Sequence, residues 1–89
     1  MDEAAALDHL EALAYHLDVQ VRYEHLEGDT AFPAGGFCRV RGKAYIIVHS
    51  RASTTEKIQV LSRALRRFDL SRIYLKPALR DLLEGYTEK

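Results

Sequence analysis

The sequence predicts an α+β fold: an N-terminal helix, a three-stranded antiparallel sheet, and two C-terminal helices. Three observations support this prediction. Leucines recur at helical spacing over residues 7–17, alternating and β-branched runs occupy residues 19–49, and a capping box opens a second amphipathic helix at Ser53. Because 89 residues is the length of one domain, we assign residues 1–89 to a single domain.

The first helix is expected to run from Asp2 to about Leu17. Asp2 is a favoured N-cap residue, and three consecutive alanines follow it shortly afterwards. Leucines at positions 7, 10, 13 and 17 form one apolar stripe. His9 and His16 are two turns apart, which is too far for the i, i+4 pair that holds zinc, so we interpret them as surface residues.

The first strand is predicted from Val19 to Leu26. Apolar and polar residues alternate there, which is typical of a strand with one face in water. Gly28-Asp29 ends this strand, and Thr30 to Gly36 is predicted to be a flexible loop. Its glycine pair is not expected to cradle a phosphate, because a strand rather than a helix follows it.

A hairpin is predicted from two further strands, Phe37 to Arg41 and Lys43 to His49. Gly42 lies between them and is expected to take a positive φ in a tight turn. The run AYIIV at residues 44–48 is the most apolar and β-branched in the chain. We therefore place this strand at the centre of the sheet.

The second helix is predicted over Ser53 to Asp69. Ser53 and Glu56 have the spacing of a capping box. The expected inward stripe consists of Ile58, Leu61, Leu65 and Phe68. A last helix is predicted from Pro77 to about Glu84, with Gly85 as its C-cap. Its expected inward residues are Leu79, Leu82 and Leu83.

Cys38 is the one cysteine of the chain, so an internal disulfide framework is excluded and a reducing compartment is favoured. Together with Val40 it is expected to face the core, as a small apolar filler. The acidic start Met1-Asp2-Glu3 is followed by no long apolar run. We therefore predict a cytoplasmic protein with neither a signal peptide nor a membrane span.

Charge is divided unevenly along a chain whose 13 acidic and 13 basic residues cancel. Residues 1–36 contain eight acids and one base, whereas residues 37–76 contain ten bases and two acids. Such asymmetry can mark a surface for nucleic acid or for an acidic partner. It is equally explained by two halves of one domain that attract each other, or by protomers that pair as a homodimer. We favour these last two explanations, attraction within the domain or between protomers, over a surface for nucleic acid or an acidic partner.

Three stretches resemble the N-terminal part of the ImmA/IrrE-type zinc metallopeptidases. LDVQVRYEHLEGD is similar to the end of that family's first helix and its first strand. GGFCRVRGKAYIIVHSRAS is similar to its glycine-led hairpin, and TTEKIQVLSRAL to the run that leads into its zinc motif. The resemblance covers about residues 7–70 and implies a minimal zincin-like scaffold.

The metal motif of that family is missing. H-E-x-x-H supplies two zinc ligands and a general base, but these five places fall on Arg63-Ala64-Leu65-Arg66-Arg67. Arginine has no lone pair to donate to a metal. Asp69 or Glu84 could take the place of a downstream ligand, but one carboxylate does not make a site. We therefore predict no catalytic residue, metal or cofactor, and no enzymatic activity.

Nucleophilic chemistry elsewhere has little support. A Cys38–His49 pair would need an orienting third group, and nothing in the spacing supplies one.

Two functional hypotheses follow. The first is a non-catalytic module that binds a protein partner or itself. The alternative is nucleic-acid binding through the basic segment 37–76, although a pI near 6.9 is well below the value of about 9 typical of such domains. In either case the predicted interaction patch consists of Arg63, Arg66, Arg67, Arg39, Arg41 and Lys43.

Overall fold

The computed structural model describes residues 2–25 and 35–85. Its elements in chain order are α1 (Glu3–His16), β1 (Val19–Glu24), β2 (Gly35–Val40), β3 (Lys43–His49), α2 (Thr54–Leu65) and α3 (Pro77–Gly85). The predicted α+β fold, with one helix before the strands and two after them, is confirmed. The expected break at residues 28–29 and most of the predicted loop 30–36 lie outside the described residues, as do residues 86–89.

The sheet is mixed rather than antiparallel throughout. Its strand order is β1-β3-β2, so the prediction that β3 lies at the centre is confirmed. β2 and β3 form the expected antiparallel hairpin, but β1 pairs with β3 in parallel, with Val19 opposite Ala44 and Glu24 opposite His49. The antiparallel prediction is therefore wrong for this pair. Because ten residues separate β1 from β2, the two need not be neighbours, and the most apolar strand can lie between them.

The inward face of β2 is the opposite of the predicted one. Phe37 pairs with the fully buried Ile46 and packs against the core. Successive side chains alternate between faces, so Cys38 and Val40 lie on the other face, and Val40 is 51% exposed. β2 also begins at Gly35, two residues earlier than expected, so both glycines belong to the strand. The larger aromatic ring thus takes the core position.

The predicted helix caps are present. Asp2 accepts a hydrogen bond from the backbone N–H of Ala5 at 2.8 Å. Ser53 Oγ accepts one from the N–H of Glu56 at 3.1 Å, and Glu56 Oε1 accepts one from the N–H of Ser53 at 3.0 Å, which completes the capping box. These bonds satisfy donors that every helix start leaves unpaired.

α2 ends earlier than predicted. Its last residue is Leu65 and Arg66 is its C-cap, so Arg67 and Phe68 lie beyond the helix. Phe68 is nevertheless half-buried against the core, as its place in the predicted stripe required. The chain beyond the end of α2 therefore still contributes a side chain to the core.

One core joins all the elements. α1 and α2 pack on each other and on one face of the sheet, and α3 contacts both helices. The largest fully buried apolar side chains are Leu10, Ile46, Val48, Leu61 and Leu65. α3 adds the buried Leu79 and Leu83, as predicted, whereas Leu82 is half-buried. Each such side chain contributes about 1.5–3 kcal/mol before entropy is subtracted.

We expect replacement of Gly35 by alanine to disrupt the sheet. A Cβ at Gly35 would lie 2.0 Å from the carbonyl oxygen of Ile47 in the central strand, and its φ of +128° disfavours any side chain. Strain and overlap together should cost at least about 3 kcal/mol. Urea denaturation followed by circular dichroism measures this loss.

Gly42→Ala is the matched control. Gly42 has a φ of +83°, but a Cβ there meets nothing within 4 Å. Only the backbone penalty of about 1–2 kcal/mol remains. Equal losses for the two variants would contradict the close approach of β2 to β3 at Gly35.

Ser62→Ala is expected to stabilise the protein. Ser62 is fully buried in α2, and its hydroxyl finds no hydrogen-bond partner in the part of the chain that the structure describes. Removing an unsatisfied buried hydroxyl, and placing a better helix former there, should raise the free energy of unfolding by about 1 kcal/mol. A fall of that size in the same denaturation assay would mean that the hydroxyl has a partner.

Candidate functional site

Two arginines of the predicted patch lie over one aromatic ring. The guanidinium carbon of Arg67 lies 4.5 Å from the centre of the Phe37 ring, and that of Arg39 lies 5.7 Å from it. Phe68 meets the same ring edge to face, with the ring centres 5.8 Å apart. We call Phe37, Phe68, Arg39 and Arg67 the Phe37 cluster.

The local geometry explains this arrangement. Phe37 and Arg39 are two residues apart on β2 and therefore lie on the same face of the sheet. α2 contacts β2, so the residues that follow its end reach the Phe37 ring. Because a planar guanidinium stacks well on an aromatic face, the ring limits the orientation of both cations.

The remaining patch residues lie along two neighbouring elements. Arg41 and Gly42 form the hairpin turn with φ of 53° and 83°, as a type I′ turn requires, which confirms the prediction for Gly42. Lys43 is exposed at the start of β3. Arg63 is exposed in the last turn of α2, and Arg66 is the half-buried C-cap. Membership of these four in a binding surface stays a prediction.

Two acidic residues of α1 form hydrogen bonds with other elements of the described fold and not with the arginines of the patch. Glu11 accepts a hydrogen bond from the hydroxyl of Tyr23 on β1, and Glu3 accepts one from Thr55 on α2 at 2.6 Å. Lys57 lies over the Tyr23 ring, 5.3 Å from its centre. Burial, followed by the bond to Glu11, raises the pKa of the Tyr23 hydroxyl. These contacts join α1, β1 and α2.

Four arginines of the patch have no carboxylate partner among residues 2–25 and 35–85. They are Arg39, Arg41, Arg63 and Arg67; the ion pair found there, of 2.9 Å, joins Arg22 to Glu24 on β1. Attraction between the acidic and basic segments therefore does not neutralise these four cations within the described structure.

A pocket of about 570 Å³ adjoins the Phe37 cluster at the end of the sheet. Its floor is a row across the three strands, in which Val19 and Arg39 both pair with Ala44. The small side chain of Ala44 leaves room above this row. The other lining residues are Tyr15, Leu17, Asp18, Gln20, Gly42, Lys43, Tyr45 and Phe68.

Three charged residues line this pocket, Asp18, Arg39 and Lys43. Lys43 pairs with Val40 and has its side chain on the other face of the sheet, so Arg39 is the cation on the Ala44 side. Within the described residues, the Asp18 carboxylate forms no ion pair with either cation. Asp18 also has a φ of 63°, in the left-handed region, and directly follows the C-cap of α1. A negative charge there faces the negative end of the helix dipole.

Sequence reasoning missed Asp18 as a site residue. The available signal was an aspartate at the end of a helix, where glycine or asparagine is usual. Tyr15 gave no signal of its own, although it is 83% exposed and lines the same pocket.

The other suspected sites do not assemble. Asp69 Oδ1 accepts hydrogen bonds from the hydroxyl and the N–H of Ser71, and the first of these lowers the pKa of its carboxyl. Cys38 pairs with Tyr45, so His49 lies four residues, or about 13 Å, further along β3. Within residues 2–25 and 35–85, no three His, Cys, Asp or Glu side chains are grouped to hold a metal ion.

Comparisons with protein-family models, with curated proteins and with solved structures gave no match to this chain. The resemblance to the ImmA/IrrE-type metallopeptidases, and the zincin-like label with it, therefore stays a prediction from the sequence. Across the described ranges, no helix combines the length and the apolar character needed to cross a membrane.

Asp18→Asn is expected to raise the free energy of unfolding by about 0.3–1 kcal/mol. The change removes a negative charge from the end of α1, and asparagine tolerates the left-handed region as aspartate does. Asp8→Asn, an exposed change of equal charge within α1, is the control and should have little effect. Thermal unfolding at low salt measures both; a loss of stability in Asp18→Asn would mean that the carboxylate is held by a favourable contact.

Proposed function

We propose that this chain is a non-catalytic binding module that recognises an acidic segment of a protein partner through the Phe37 cluster. The observation that carries the proposal is the pair of guanidiniums lying over one ring with no described carboxylate paired to them. Both lie within 6 Å of the same ring centre, so two neighbouring carboxylates of one segment can reach them together.

Arginine placed over a ring in this way suits carboxylate recognition. Its planar fork donates two parallel hydrogen bonds to a carboxylate, and stacking reduces the conformational freedom lost on binding. Arginine and aromatic residues are also the types that dominate binding energy in protein interfaces. The absent metal motif at residues 63–67 agrees with a role that requires no chemistry.

A second copy of the chain is one form that such a partner could take. α1 exposes Glu3 and Asp8, and Asp2 precedes it. A twofold arrangement would bring the acidic helix of each copy to the Phe37 cluster of the other. Light scattering over a hundredfold range of concentration separates this homodimer from a module that binds another protein.

Nucleic-acid binding is the second candidate, favoured by one observation. Tyr15 lines the same pocket as Arg39, and an aromatic ring near a cation can stack an unpaired base. The net charge of zero and the carboxylate of Asp18 within that pocket both act against a long polyanion. The acidic protein segment is therefore the stronger proposal.

The double variant Arg39→Gln/Arg67→Gln tests the proposed function. The probe is a fluorescein-labelled peptide of alternating glutamate and leucine, followed by fluorescence anisotropy. We expect the double variant to raise Kd at least tenfold, because both bidentate contacts are lost. Arg51→Gln/Arg72→Gln, which removes two exposed arginines elsewhere, is the matched control and should raise Kd less than threefold.

Two results would contradict the proposal. One is an equal effect of the two double variants, which would indicate attraction by net charge alone. The other is tighter binding of a twelve-nucleotide single-stranded DNA than of the peptide, which would establish the nucleic-acid alternative. Denaturation of each variant first confirms that it is folded.

A further inference from the structure

We infer that the pocket beside the Phe37 cluster binds a small zwitterion of the α-amino acid class with an apolar or aromatic side chain. This inference goes beyond the proposed function and does not depend on it. It follows from the size of the pocket, the opposite charges on its wall, and the unusual position of Asp18.

Size and lining fit a small molecule. At about 570 Å³ the pocket lies within the 300–1,000 Å³ common for such sites, and small-molecule sites combine apolar surface with a few polar groups. The apolar and aromatic surface comes from Tyr15, Leu17, Val19, Ala44 and Phe68. A side chain of the size of leucine or phenylalanine would contact these residues above the Ala44 floor.

The charges indicate both ends of a zwitterion. Arg39 can hold a carboxylate, since it is a cation on the Ala44 side of the sheet that no described acid pairs with. Three features favour an ammonium group at the other side: the Asp18 carboxylate, the negative end of the α1 dipole, and the exposed ring of Tyr15. A ligand with one sign of charge would leave one of these groups unmatched.

Asp18 is costly where it stands. A negative charge at a helix C-terminus is unfavourable, and asparagine, which tolerates the left-handed region as aspartate does, would remove this cost. No hydrogen bond or ion pair of its side chain to a described residue offsets this cost. Violations of local rules of this kind are expected where a residue serves function.

Four probes separate the contributions of the ligand: L-phenylalanine, 3-phenylpropionate, 2-phenylethylamine and glycine. L-Phenylalanine carries all three groups of the ligand. 3-Phenylpropionate lacks the ammonium group, 2-phenylethylamine lacks the carboxylate, and glycine lacks the side chain. Titration of the full chain, followed by amide chemical shifts in heteronuclear NMR, should show binding of L-phenylalanine. Each of the other three should bind at least tenfold more weakly, because one set of contacts is missing. Perturbed amides should include those of residues 18, 42 and 43.

Asp18→Asn should abolish the advantage of L-phenylalanine over 3-phenylpropionate, whereas Asp8→Asn should retain it. Arg39→Gln gives a second, independent measurement: it should reduce the advantage of L-phenylalanine over 2-phenylethylamine. Equal affinities for the four probes, an unchanged preference in Asp18→Asn, or the absence of binding by both L-phenylalanine and L-leucine at 10 mM would overturn the inference. None of these results depends on the acidic peptide, so failure of either proposal is recognisable by itself.

Discussion

The central strand β3 is the constraint on which the rest of the structure depends. Its alternating residues Ala44, Ile46 and Val48 are buried under α1 and α2, and its backbone pairs with a strand on either side. Because α2 follows β3 and packs back across the sheet, the end of α2 reaches the hairpin end of β2. The Phe37 cluster and the pocket over Ala44 both arise at that end.

Three residues occupy positions that are unusual or unfavourable for their type, and the physical reason differs among them. Gly35 is required by a backbone oxygen 2.0 Å from where a Cβ would be, which is a matter of packing. Ser62 carries a buried hydroxyl without a described partner, which is a cost inside the core. Asp18 carries its cost at the wall of an open pocket that also contains the cation of Arg39. Only in the last case does the unfavourable choice place a charge where a ligand can reach it.

Arg39 connects the two proposals of function. It lies over the Phe37 ring and also forms part of the pocket floor. The two proposals therefore assign the same guanidinium to an acidic segment and to a zwitterion. A fixed guanidinium can serve either ligand because its donors are preorganised before binding. Glu11 and Glu3 of α1 instead accept hydrogen bonds within the fold, from Tyr23 and Thr55. These acids of the N-terminal segment therefore join elements of the fold, whereas Arg39 and Arg67 of the basic segment lie at the Phe37 cluster.

The sequence by itself determined what depends on neighbours in the chain: the caps at Asp2 and Ser53, the turn at Gly42, and the apolar strand that takes the centre. The tertiary structure decided the parallel pairing of β1, because alternation indicates a strand but not its neighbour. It also decided which face of β2 turns inward, since a slip of one residue exchanges Phe37 for Cys38. Arg67 meets Phe37 across thirty residues of chain, and Asp18 and Arg39 line one pocket, so no local pattern could have predicted either.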